Sequence, residues 1–218
     1  MKLYSTVFQA AEAEQIIEKS RFIAYVSPAE TKEEADAFIA SIKKKHKDAT
    51  HNVPAMVIGD KFQIQWASDD GEPQGTSGAP MVQMLVKEGI TNVVVVVTRY
   101  FGGIKLGTGG LVRAYTSSAK LGLEAAGICD IEEMAVMTWE VDYSHLAKIQ
   151  NLASASGSGA DGSTGVFSIE EIRYLDVVSM DLACVPEDEE AVISQITNLT
   201  AGRGTLKNQE IRLVKRLV

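Results

Sequence analysis

The chain has 218 residues, 45% of them hydrophobic and 23% charged, with a formal charge of −8 and a pI near 5.0. That suits one large or two small globular domains and argues against a generic nucleic-acid coater, which needs Lys and Arg in excess. Two distant cysteines, Cys129 and Cys184, form no CxxC, and no apolar run reaches the ~18 residues of a membrane span. With no signal-peptide pattern in MKLYSTVFQAAEAEQ, the expectation is a soluble cytoplasmic protein without metal or cofactor.

Residues 1–26 read as extended segments around a turn, with a strand over Ser20–Val26. A helix is predicted from Thr31 to Lys45, because Ala35, Phe38, Ile39 and Ile42 recur at helical spacing. Thr31 and Glu34 form a capping box, and Lys43, Lys44 and Lys45 suit the negative C-terminal end. Val53–Ile58 and Lys61–Trp66 read as strands joined through Gly59-Asp60. A polar loop follows, ASDDGEPQGTSGAPM from Ala67, then a short helix over Pro80–Glu88. Five consecutive valines within Asn92–Thr98 mark a strand buried on both faces. After it come Arg99, Tyr100, Phe101 and a glycine-rich loop, then a helix over Leu111–Ala126 stopped by Gly127.

From Ala135 a second unit reads as strand Val136–Val141, helix Tyr143–Ala155, strands Thr164–Tyr174 and Val177–Val185, helix Glu187–Leu199 and strand Ile211–Val218. That order, β-α-β-β-α-β, is ferredoxin-like, and the low-complexity run Ala153–Gly165 is expected to be a loop inside it. The chain is therefore expected to be α+β, with domains at 1–134 and 135–218.

Chemistry concentrates in two stretches. The first is the glycine-rich loop, where a strand leading into a helix N-terminus offers unpaired N–H groups to an anion. The Walker pattern fails because Thr108 stands where its lysine belongs, and the dinucleotide fingerprint fails at Val112. Arg99, Lys105, Arg113 and Lys120 are the only charged residues from Thr91 to Lys120. Phosphate would meet Arg99, Lys105 and Arg113 with the N–H groups of Gly107, Gly109 and Gly110. Lys19 and Arg21 extend the patch, and Tyr100 or Phe101 would stack a base if exposed. Alternatively, the glycines serve only to bring helix close to sheet.

The second stretch is the acidic loop. Asp69, Asp70 and Glu72 could bind a hard cation such as Mg²⁺, although DxDxDG spacing is absent, or serve acid/base chemistry with His51, or turns and caps, or pair with Arg99 or Arg113 and tie the two loops together. A Ser77–His51–Asp70 triad lacks the elbow around its serine. His46, His51 and His145 show no metal-ligand spacing.

KSRFIA from Lys19, ATHN from Ala49, SDDGEPQGTSGAPM from Ser68 and VVTRYFGGIKLGTGGLVRAY from Val96 closely resemble the IMPACT/YigZ family. The likeness covers most of residues 1–130. It implies an N-terminal domain sharing the α/β fold of a small-subunit ribosomal protein and elongation factor G domain IV, with a left-handed β-α-β crossover. Residues 135–218 are similar to a C-terminal domain of elongation factor G. Eukaryotic members of the family regulate translation by keeping the amino-acid starvation kinase from activation through its scaffold protein. Their extra N-terminal domain is not expected here. For bacterial members, binding to RNA or the ribosome is proposed from the fold, and no enzymatic activity is established. The resemblance thus implies a non-enzymatic protein that binds RNA or a translation component. The competing readings are a hydrolase built on His51 and the Asp69/Asp70/Glu72 loop, and a protein–protein module.

Overall fold

The computed structural model describes residues 2–154 and 167–218. The first half of the chain forms β1 (Lys2–Val7), β2 (Ala11–Ile17), β3 (Ser20–Pro28), α1 (Lys32–Lys45), β4 (His51–Ile58), β5 (Ile64–Ala67), α2 (Gly78–Lys87), β6 (Val93–Tyr100) and α3 (Gly107–Ala126). Then come β7 (Ile128–Val141), α4 (Tyr143–Ser154), β8 (Ser168–Tyr174), β9 (Val178–Cys184), α5 (Glu189–Leu199) and β10 (Thr205–Leu217). Two compact units result: Lys2–Ile131 with Lys215–Val218, and Glu132–Val214.

In the first unit the sheet order is β2-β3-β6-β4-β5. The valine strand is central, and Val93 to Val97 are all fully buried. Its alternation serves two cores. Val94 and Val96 face Ala35, Ile39 and Ile42 of α1, while Val93, Val95 and Val97 face Met81 and Leu85 of α2 and Leu111, Tyr115 and Leu123 of α3. The Thr31–Glu34 capping box is present at the start of α1.

Strands β3 and β4 both run antiparallel to β6, and β5 and β6 both run antiparallel to β4. The first unit therefore contains two parallel crossovers, β3-α1-β4 and β5-α2-β6, each passing over one strand. Relative to the first, the second reverses strand direction, sense of travel and helix-bearing face. Three reversals invert the hand, so one of the two crossovers is left-handed, against the right-handed rule that holds in roughly 98% of cases.

The second unit has β10 beside β7, then β9 and β8, the strand order of a ferredoxin-like βαββαβ domain. Met137, Trp139, Met180 and Leu182 pack with Ile149 of α4 and with Val192 and Ile196 of α5.

Several elements differ from their sequence-based limits. Helix α3 begins at Gly107, so Gly107, Gly109 and Gly110, expected in a loop, form its first turn, while Gly102 and Gly103 stay in the loop. Leu106 holds that turn by packing on the core. Strand β5 starts only at Ile64, because Phe62 adopts φ 58° and turns its ring to the core. Strand β10 starts at Thr205, where its mostly exposed side chains give no apolar alternation to read. The run 155–165 and the expected strand start at Thr164 lie outside the described residues.

Candidate functional site

The C-terminal end of β6 carries Arg99 inward, where only 4% of the residue is exposed. Its Nη1 donates to Glu72 Oε1 at 2.7 Å and its Nη2 to Ser20 Oγ at 3.3 Å. The guanidinium lies 5.3 Å from the Phe22 ring centre and 5.4 Å from that of Phe101, within cation–π range of both. Glu72 Oε1 also accepts from the Tyr115 hydroxyl at 2.8 Å, and His51 Nε2 stands 3.7 Å away. Burial, then the adjacent Glu72 carboxylate, push the Tyr115 phenol well above its usual range, so it stays a hydrogen-bond donor. The acidic and glycine-rich stretches are thus tied together by Glu72 and Arg99.

The other acidic-loop residues have structural partners. Asp69 accepts from the N–H groups of Gly75, Ser77 and Gly78 and from Ser77 Oγ, and so caps α2. Burial raises its pKa, but the Ser77 hydroxyl and these backbone donors outweigh that and hold the carboxyl below its ordinary value. Asp70, at φ 48°, receives Lys43 Nζ at 2.6 Å and the Asn52 N–H at 2.6 Å. Its carbonyl is 2.8 Å from His51 Nδ1, an arrangement that makes Nδ1 the donor and leaves Nε2 facing Glu72. Ser77 is fully buried and engaged with Asp69, which removes it as the nucleophile of a triad. His46 bridges the Tyr25 and Tyr100 hydroxyls at 2.7 and 2.9 Å, and burial followed by the charges of Lys45 and Arg21 lowers its pKa. Among the described residues no group of His, Cys, Asp and Glu could hold a metal ion.

The remaining cations of the expected patch lie outside. Lys19, Lys105 and Arg113 are exposed, and among the described residues no ion pair engages them. Arg21 is exposed and paired with Glu14 at 2.7 Å, and its guanidinium is 5.8 Å from the Tyr100 ring centre. Among the described residues the α3 N-terminus has no side-chain cap and no acid in its first turn, so the N–H groups of Gly107, Thr108 and Gly109 stay open. That of Gly110, expected to meet the anion, is spent on the Leu106 carbonyl as the first bond of the helix. Gly102 allows the loop before it to lie on β3. A Cβ there would stand 2.0 Å from the Lys19 carbonyl, a clash no side chain could relieve.

Two cavities flank this loop. One, of about 330 Å³, is lined by Glu72, Pro73, Arg99, Phe101, Lys105, Leu106, Gly107, Thr108 and Leu111. The other, of about 420 Å³, lies between Ile17 and Glu18 on one side and Lys105, Leu106 and Arg113 on the other. Arg99 therefore belongs to the interior and to a cavity wall, not to an exposed cationic patch. Sequence reasoning does not find Tyr115, Ser20 and Phe22 as members of the cluster. Only Tyr115, a polar-tipped aromatic on the core face of α3, gives any signal.

Residues 18–123 match the family model of the Impact N-terminal domain, and residues 140–203 match a domain of unknown function (DUF1949). IMPACT family member YvyE of Bacillus subtilis is 42% identical over 99% of this chain and 95% of its own length. YigZ of Escherichia coli is 40% identical over 62% of this chain and 68% of its own, and mouse Protein IMPACT is 36% identical over 41% and 29%. A crystallised hypothetical protein, 30% identical, superposes with a TM-score of 0.57 over 96% of this chain and 98% of its own. The matched N-terminal region contains every residue of the Glu72–Arg99 cluster and of the loop above it, and the chain belongs to the IMPACT family.

Proposed function

We propose that the chain is a non-catalytic binding protein that engages RNA or an RNA-containing component of the translation machinery through the β6–α3 loop. The observation that carries this reading is the uncapped first turn of α3 beside exposed Lys105 and Arg113, which no ion pair among the described residues engages, within a stretch free of acids. Lys19 lies on the β2–β3 turn against which that loop rests. Arg99 acts from beneath, holding the strand end, the acidic loop and α3 together. Phe101 is 46% exposed and offers a stacking face.

The test is fluorescence anisotropy with single-stranded RNA over a salt series, comparing wild type with Lys105→Ala/Arg113→Ala. Weaker binding is expected, with a salt slope smaller by about 0.7 for each phosphate no longer neutralised. Equal affinity and equal slope in both proteins would remove the reading. Capture of partners from lysate with and without ribonuclease then separates RNA from a protein partner.

A second reading is hydrolysis, favoured by the oriented His51 with its Nε2 toward Glu72. Against it, Glu72 is already held by Arg99 and Tyr115.

A further inference from the structure

The smaller cavity combines three properties that suit one kind of ligand. Its volume of about 330 Å³ is at the lower end of the ~300–1,000 Å³ typical of small-molecule sites. Pro73, Phe101, Leu106 and Leu111 supply apolar walls, and one face of the Phe101 side chain is open. On the other side Lys105, Gly107 and Thr108 bring an ammonium and the uncapped N-terminus of α3. Arg99 gives an independent pointer. It lines this cavity at 4% exposure, and among the described residues its buried Nε–H has no hydrogen-bond partner. An unpaired buried donor is costly unless something accepts from it.

We infer that this cavity takes a single nucleoside monophosphate unit. The base lies against Phe101 and the leucines, and the phosphate meets Lys105 and the N–H groups of Gly107 and Thr108. A shift of the Arg99 side chain, whose Nε–H is closed to solvent, brings that donor to a ligand acceptor. A phosphate alone would leave the apolar walls uncovered, and a nucleoside alone would leave the helix terminus unanswered. The inference rests on the reading that this loop faces RNA, and it names the unit the loop takes. The same unit can come from a free nucleotide or from an unstacked residue of an RNA strand.

Calorimetric titration of the full chain with AMP, UMP, adenosine and inorganic phosphate tests it, followed by competition against a single-stranded RNA. Both nucleotides are expected to bind, with adenosine and phosphate each at least about tenfold weaker, and Phe101→Ala to weaken nucleotide binding about tenfold. Lys105→Ala weakens it as well, and Thr108→Trp, which fills the cavity from an exposed position, abolishes it. A thermal melt of each variant reports that it folds. Absence of nucleotide binding, or nucleotide binding unchanged in Thr108→Trp, overturns the inference. If RNA binds and nucleotide neither binds nor displaces it, the nucleotide site is wrong while the RNA reading stands. If nucleotide binds and RNA does not, the site stands with a free nucleotide as its source and the RNA reading falls.

Discussion

Glu72 in the first unit and Asp181 in the second are both almost wholly inside, with side-chain exposures of 4% and 5%, and both are paired with arginine. Their arginines are placed differently. Arg99 is itself 5% exposed, whereas Arg173 and Arg212, 2.7 and 3.5 Å from Asp181, are 35% and 45% exposed. A cation shut in with its carboxylate has no recourse to water if the partner is removed, while cations at the surface rehydrate. The first pair therefore fixes its surroundings, and the second leaves its arginines within reach of solvent and other molecules. The difference also explains why Arg99, the first cation of a stretch that carries no acid, organises the buried cluster and is not part of the outer surface.

The comparison is broken most sharply by truncating each carboxylate. Glu72→Ala leaves Arg99 buried and uncompensated and should cost about 3–5 kcal/mol in urea unfolding. Pairing Glu72→Leu with Arg99→Met should restore much of it, and failure of that rescue would count against an ion-pair origin. Asp181→Ala should cost less, about 1–2 kcal/mol, because Thr138 Oγ1 is left without its acceptor while the arginines turn to water. Equal destabilisation at the two sites would erase the distinction. The smallest effect is in acid. Burial tends to raise the Asp181 carboxyl, but hydrogen bonds from Arg173 and Thr138 outweigh it and hold it below its ordinary value, as the α2 cap does for Asp69. Their stabilisation is complete above the unfolded carboxylate pKa and is lost as pH falls below that ordinary value through the lower folded ones. Asp69→Asn and Asp181→Asn should each flatten the fall in urea midpoint over that range.

What can be read in advance follows the range of the forces involved. The valine strand, the capping box of α1 and the βαββαβ order of the second unit rest on periodicity and neighbours a few residues apart, and they are legible. The pairing of Glu72 with Arg99 is one option among several at that level, since a carboxylate beside Gly and Pro reads equally as a cap. Asp69 takes that capping role, and nothing local distinguishes the two residues. Gly122 carries no warning at all. It sits mid-helix because a Cβ would stand 2.7 Å from Val26 Cγ2 and 3.0 Å from the Ala24 Cβ, a fit set by the seat of α3 on β3. The hand of the crossovers is unreadable for a similar reason, since it depends on which face each helix covers.

The central position of β6 also orders the events of folding. β2 with β3, and β4 with β5, are hairpins that close locally, but they meet only through a strand some seventy positions beyond β3. Until Val93–Tyr100 is in place between them, neither hairpin has its inner neighbour and neither helical layer has a complete sheet to cover. During synthesis, then, the first unit cannot complete its sheet until β6 has been made. In that interval the free valine run, β-prone and uncharged, is the segment most exposed to pairing with another chain.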